Sequence, residues 1–215
     1  DMAAGGPAYA HMDTDTAINA ATWKAALSSA GAAIAATDAV MAGELENAFC
    51  CTRPPGHHAT MNESMGFCFV NNVAVVAASL AAQGERVLVF DYDAHHGNGT
   101  QAIFYNRSDV FYGSVHVDPG AGWFPHFMGF ADETGRGTGS GANRNIPLPP
   151  RSGDDRWLTA VEQLVEVRRA DRALVGRAQA HQVARRPAEF HLVGAVAGAV
   201  GVLVGRRVLE LAVRE

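Results

Sequence analysis

The 215-residue chain reads as an α/β protein built on a doubly wound, mostly parallel sheet. Short apolar runs alternate with alanine- and valine-rich helical stretches, the order that sets helices on both faces of a parallel sheet. Polar turns carrying histidines follow those runs, which places chemistry at the carboxyl ends of strands, where open α/β sheets hold their ligands. A content of 48% hydrophobic and 18% charged residues fits one globular domain.

The elements follow in order. Residues 16–42 predict an alanine-rich helix with Trp23, Leu27, Ile34 and Val40 as its larger apolar anchors and Gly43 as its stop. A strand is expected at about 47–52, a histidine-bearing loop at 53–66, a helix at about 70–83 and a strand at 86–92. A helix follows the His-His-Gly-Asn-Gly turn, then the strand Val110–His116. Residues 118–142 form a long loop with seven glycines and the aromatics Trp123, Phe124, Phe127 and Phe130. Its length and aromatic content favour a substrate-lining loop over a solvent-facing insertion. Asn143–Pro147 reads as a short strand, Pro149-Pro150 as a break and Asp154–Val167 as an amphipathic helix.

From Arg168 the character changes to arginine and alanine without apolar period, with three Arg-Arg pairs and no lysine. Residues 1–166 are therefore read as one partial domain and 167–215 as an atypical tail, explained by a shifted reading frame or by a basic surface extension. A tail out of frame would leave a sheet edge uncovered. Its fourteen-residue apolar run Leu192–Gly205 is shorter than the roughly 18–20 residues of a membrane span and reads as a buried helix or as unpatterned sequence. With Asp1 rather than Met at its start, the chain reads as incomplete at both ends.

The chemistry lies in two clusters. Residues 86–101 run from an apolar strand into Asp91-Tyr-Asp-Ala-His-His-Gly-Asn-Gly-Thr-Gln101. Asp91, Asp93 and His95 share one parity and would converge on one face if the strand persisted that far. A carboxylate and an imidazole at this spacing suit zinc, which takes such donors at about 2.0–2.2 Å; Asp93 and His95 give two ligands and a third must come from elsewhere. The other reading is a polar strand end with a helix cap. The second cluster, Arg53-Pro-Pro-Gly-His-His-Ala59, sets adjacent histidines on a rigid turn, where imidazoles beside a metal can take and return a proton. Gly66-Phe-Cys-Phe-Val-Asn-Asn72 follows, ahead of the next helix.

These motifs, in this order and with Gly113-Ser-Val-His-Val-Asp-Pro119 after them, resemble the zinc-dependent histone deacetylase superfamily. Trp123-Phe-Pro-His-Phe-Met-Gly-Phe-Ala-Asp-Glu-Thr-Gly135 is most similar to its bacterial acetylpolyamine and histone deacetylase-like amidohydrolases. The resemblance covers roughly residues 12–166 and implies an arginase/deacetylase-like fold. It implies that Asp93 and His95 bind Zn2+ and that His57 and His58 are tandem catalytic histidines, oriented by Asp91 and Asn98 respectively. Asn98 stands where some members carry aspartate. Asp91, Asp93, His95, Ser114 and Val115 match positions that hold a structural monovalent cation, usually K+. Gly66, Phe67 and Phe124 match substrate-binding positions, the two aromatics as walls of an acyl-amine tunnel. Asp15 matches a rim position that grips the substrate; Asp13 is the fallback there, and a helix N-cap the alternative role.

The activity implied is hydrolysis of an acetyl amide, an acetylpolyamine or acetyl-lysine, to acetate and free amine. Family members complete the site with an aspartate from a later strand and a tyrosine after a glycine run. Neither is visible after Glu166, where the acids are Asp171, Glu189, Glu210 and Glu215 and no tyrosine occurs, so the chain as written is expected to be impaired. Two other classes stand beside this reading: a non-catalytic acyl-amine binding protein of the same fold, and a manganese hydrolase of arginase architecture, against which the His57-His58 pair speaks. A net charge of −5 argues against the basic footprint of a nucleic-acid binder and is compatible with a cationic small substrate. No membrane partner is expected, and a homodimer is implied by the resemblance alone. Three cysteines without a Cys-x-x-Cys pair, and no secretory signal, point to a reducing cytoplasm. The other histidines, His11, His116, His126, His181 and His191, read as structural.

Overall fold

The structure, a computed structural model, describes residues 9–164, 191–196 and 200–204, the last two segments as backbone. A six-stranded sheet runs in the order β3 (Asn47–Cys51), β7 (His191–Val196), β8 (Val200–Val204), β4 (Val87–Asp91), β5 (Val110–Val117), β6 (Asn143–Leu148). β3 with β7, β4 with β5 and β5 with β6 pair parallel, whereas β8 is antiparallel to both neighbours. A small antiparallel pair, β1 (Ala10–His11) and β2 (Ala17–Ile18), precedes it.

Helices cover both faces, as the alternation predicts. On one face α2 (Asn72–Ala82) and α3 (Asn98–Phe104) press Val73, Val76, Leu80 and Phe104 onto Val87, Val89, Val110 and Tyr112. On the other, Ala160 and Leu164 of α4 (residues 154–164) meet Val115 and Leu148. The period-2 alternation of β4 delivers this division: Val87, Val89 and Asp91 are buried while Phe90 packs on the opposite side.

Three expectations need correction. The first helix, α1, spans Thr22–Met41 rather than beginning at residue 16. The Asp13 carboxylate accepts the backbone N–H groups of Asp15 (3.1 Å) and Thr16 (2.6 Å), which fixes a turn and feeds residues 17–18 into β2. Of the expected anchors only Val40 is buried: Trp23 is 62% exposed and Leu27 and Ile34 are exposed, while Ala26, Ser29, Ala30, Ala33 and Thr37 complete the buried face. Small side chains let this helix lie close to its neighbours.

The run Leu192–Gly205 is not a helix. Residues 191–196 and 200–204 are two antiparallel strands that fill the sheet between β3 and β4, so the flank of β4 is paired and not bare. Valine at 193, 196, 200, 202 and 204, with glycine at 194 and 201, favours strand over helix, and continuous apolar runs are what central strands carry. The acids from Glu166 to Glu189, with Glu210, Glu215 and His181, lie outside the described residues, as does the end of the helix expected over 154–167.

Candidate active site

The site gathers at the carboxyl ends of β3 and β4. After β3, the Pro54-Pro55-Gly56 turn presents His57 and His58, both buried, with ring centroids 4.0 Å apart. Asparagine and threonine side chains fasten this turn. The Asn71 side chain caps α2 by accepting from Ala74 N (3.0 Å) and donates to the Ala59 carbonyl (3.0 Å) and Thr100 Oγ1 (3.1 Å). Thr100 N donates to the His57 carbonyl at 3.1 Å. Asn72 Nδ2 donates to Ser29 Oγ (2.9 Å) and the Pro54 carbonyl (3.3 Å), tying the turn to α1. Thus the Asn-Asn pair in the sequence is a clamp, a role that its place before the helix leaves half visible.

Each histidine has its own partner. His57 Nδ1 lies 3.0 Å from Asp91 Oδ2, and His58 Nδ1 lies 2.8 Å from Asn98 Oδ1. Burial alone would depress the His57 imidazole, but the charge and hydrogen bond of Asp91 hold it above its ordinary value. For His58 the balance falls the other way: burial, then the charge of His57, outweigh the Asn98 hydrogen bond and the Asp93 charge and push it down to about 3. The two environments therefore pull in opposite directions, toward imidazolium at His57 and toward neutral imidazole at His58. Space is tight around both. A Cβ on Gly66, whose φ is +54°, would stand 2.5 Å from His58 Cδ2; one on Gly97 would strike the Asp91 carboxylate and lie 3.0 Å from His57 Nδ1.

Strand alternation does not bring Asp93 and His95 together, because β4 stops at Asp91. Two successive carboxylate-to-backbone turns do so instead: Asp91 Oδ1 accepts from Asp93 N (3.2 Å) and Asp93 Oδ1 from His95 N (2.7 Å). An i, i+2 spacing is what such turns need, so the same sequence pattern is satisfied by different geometry. His95 Nδ1 lies 3.4 Å from Asp93 Oδ1. A tetrahedral ion with bonds of about 2.0–2.1 Å has an edge of about 3.3 Å, so the pair fits two corners of a zinc site. Among the described residues no group of three or more His, Cys, Asp and Glu comes together to hold a metal. The third donor is thus not supplied within them. Burial works to raise the Asp93 carboxyl, but hydrogen bonds from His95 and the charge of His57 bring it below its usual range.

Ser114 and Val115 are fully buried on β5, with Ser114 in register with Asp91; the Ser114 hydroxyl contacts His116 Nδ1 at 2.7 Å. His116 also reaches the Gly129 carbonyl through Nε2 at 2.8 Å, a structural tether as expected. Phe124 stands edge-on to His58 with centroids 4.9 Å apart, and Trp123 lies 5.5 Å from the His95 ring. Two aromatics of the long loop, Trp123 and Phe124, thus stand against the site histidines, whereas Phe127 is exposed. Phe67, 54% exposed and at φ +64°, is held by a hydrogen bond from its N–H to Thr16 Oγ1 (3.1 Å), and Thr16 in turn donates to Asp15 Oδ1 (3.3 Å). Asp15 is exposed, and Asp13 caps its own turn rather than α1. Sequence reasoning missed Tyr112, whose hydroxyl donates to Asp91 Oδ2 at 3.0 Å. Its signal was parity with Ser114 on β5.

A mostly parallel sheet with buried imidazole–carboxylate and imidazole–amide pairs at its carboxyl edge is a deacetylase-type framework, and the chain belongs to the histone deacetylase domain family, whose model matches residues 2–171. It is similar to the acetylpolyamine amidohydrolase of Mycoplana ramosa, with 51% identity over 62% of this chain and 39% of that protein. Acetylpolyamine amidohydrolase 1 of Pseudomonas aeruginosa is 46% identical over 72% of this chain and 44% of its own length. The crystal structure of an acetylpolyamine aminohydrolase from Burkholderia pseudomallei superposes with a TM-score of 0.70 at 42% identity, covering 74% of this chain and 46% of the other. The chain spans roughly two fifths of the length of the relatives it matches, 39% and 44% in these two cases.

Proposed function

We propose that this chain carries the histidine pair and two of the zinc ligands of an amidohydrolase that cleaves an acetyl amide, an acetylpolyamine or acetyl-lysine, to acetate and free amine. The observation that carries this reading is the unequal pair: His57 bonded to Asp91 and His58 to Asn98, with rings 4.0 Å apart beside Asp93 and His95. Asp93 and His95 would hold the zinc, which when bound supplies Lewis acidity toward the acetyl carbonyl and a water. With Nδ1 engaged by the Asn98 carbonyl oxygen, neutral His58 keeps an Nε2 lone pair to take the water's proton and later return it to the leaving amine. His57, whose charged form Asp91 favours, would steady the negative charge that develops beside it. Phe67 and Phe124 would wall the acyl-amine tunnel with Gly66 between, and Asp15 would meet the cationic end of the substrate at the rim. Asp91, Ser114 and Val115 would bind the structural monovalent cation.

Names of relatives that specify acetylpolyamine support a small cationic amine over an acetylated protein. Three free thiols, Cys50, Cys51 and Cys68, suit a reducing cytoplasm, and no described helix is long and apolar enough to cross a membrane. The change of composition at Arg168 supports reading 167–215 as a departure from the family pattern; translation of the DNA in its other frames tests this, since a strand with Gly-x-Asp and a later glycine run ending in Tyr should appear. The second reading is the non-catalytic acyl-amine binding protein of the same fold. Acetate release from an acetylated diamine, measured on the whole protein loaded with zinc, separates the two: turnover abolished by His58→Ala is expected, and bound zinc with no turnover would establish the binding protein instead.

A further inference from the structure

We infer that Tyr112 is a positioning residue that acts on His57 through Asp91, sharing the carboxylate oxygen to which that histidine is bonded. This rests on the reading of His57 as part of the reactive pair. Asp91 is fully buried and has a single link to the histidine, through Oδ2. The Tyr112 hydroxyl donates to that same Oδ2 at 3.0 Å, from a ring only 1% exposed on the neighbouring strand β5. Oδ1 is already occupied by the Asp93 N–H at 3.2 Å. Every lone-pair direction of the carboxylate that the structure uses is therefore set by the protein. Two donors on one oxygen divide its charge, so the phenol weakens the pull of Asp91 on the His57 proton and fixes the plane in which the carboxylate stands.

Two further observations argue that the hydroxyl is placed and not incidental. The residue across the phenol is Gly97, where a Cβ would lie 2.7 Å from the tyrosine oxygen, so the turn is shaped to admit this group. The alternative acceptor, the Gly97 carbonyl, stands farther off at 3.2 Å and is uncharged, leaving the carboxylate as the stronger partner. A purely structural role would need the ring alone, which packs in the cluster of Val89, Val110 and Phe104. Phenylalanine would serve that role equally well.

Tyr112→Phe keeps the ring and removes the donor. The readout is the low-field proton resonance of His57 Nδ1–H, assigned by its loss in Asp91→Asn and observable without turnover. It should move to lower field in Tyr112→Phe, because the carboxylate's charge is no longer shared; its loss from a protein whose amide spectrum is otherwise unchanged would mean that the carboxylate has turned away, and equally supports positioning. In the zinc-loaded whole protein, kcat should fall about tenfold, the effect of one hydrogen bond to a charged group, with KM unchanged. An unmoved or upfield-shifted resonance overturns the inference. Failure of the wild-type protein to release acetate, with the resonance shifting as expected, would instead count against the proposed activity alone.

Discussion

His58 faces the amide of Asn98 across 2.8 Å, while its neighbour His57 faces the carboxylate of Asp91 across 3.0 Å. One substitution would make the two environments alike. Asn98→Asp places a second carboxylate against a buried imidazole, which favours its charged form. His58 should then titrate well above about 3, as followed by NMR of the ring protons. A value that stays near 3 would show that burial and His57, not the partner at 98, control this ring.

The same pair sets the pH dependence of stability. His58 has a pKa of about 3 when folded against 6.5 ordinarily, so in that window the unfolded chain binds a proton that the native chain refuses. Stability is then lost as pH falls below 6.5, by up to about 1.4 kcal/mol per unit. His57 has the opposite sign: its folded pKa is raised, so its contribution is present below 6.5 and is lost as pH rises through the folded value. Urea midpoints should peak near the ordinary histidine pKa and fall on both sides. A profile flat on the acid side would contradict the assignment.

Asp93→Ala and His95→Ala should each lose zinc, since the 3.4 Å pair would supply adjacent corners of the proposed site. Elemental analysis of the whole protein after dialysis reads this directly, and stoichiometric zinc retained by either variant would remove that residue from the ligand set.

Thr16 links Asp15 to Phe67, accepting from Phe67 N and donating to Asp15 Oδ1. Thr16→Val leaves the Phe67 N–H unpaired at a left-handed backbone position and should cost about 1–3 kcal/mol in chemical denaturation. Thr16→Ser keeps the hydroxyl and should cost less than half as much. Equal losses in the two variants would assign the effect to the methyl group.

A zinc-loaded whole protein should hydrolyse an acetylated diamine with higher kcat/KM than an acetyl-lysine peptide, given the acidic net charge and the Phe124-Pro-His-Phe-Met-Gly129 segment. Competition of the two substrates in one assay reads the ratio, and preference for the peptide would reverse the assignment.

Much of this arrangement is legible in the residues. Alternation of apolar runs marks β3 to β6 and α2 to within a residue or two, because each carries its own period and its own stop, whereas α3 begins at Asn98, inside the glycine turn rather than after it. His57, His58, Asp91 and Asn98 come together as their motifs imply, since rigid turns after strands leave little freedom. Other features need three dimensions. Whether α1 buries its large or its small residues depends on how closely the neighbours approach. That Asp93 and His95 sit on turns, not on a pleat, follows from where β4 stops, and period 2 fits both cases. Tyr112 reads as another apolar strand residue until β4 and β5 are laid in register.

The carboxylate-to-backbone turns at Asp91 and Asp93 have a thermodynamic consequence. Their N–H partners brace the segment from within, so the donors stand at their spacing as a property of the polypeptide itself. A cation bound there would have little chain entropy left to remove, and its affinity would be that of a preformed chelate rather than of a loop that must first be ordered. On the proposed ligand assignment, folding and metal loading would then be separable events in this part of the molecule, with the polypeptide, not the ion, defining the shape.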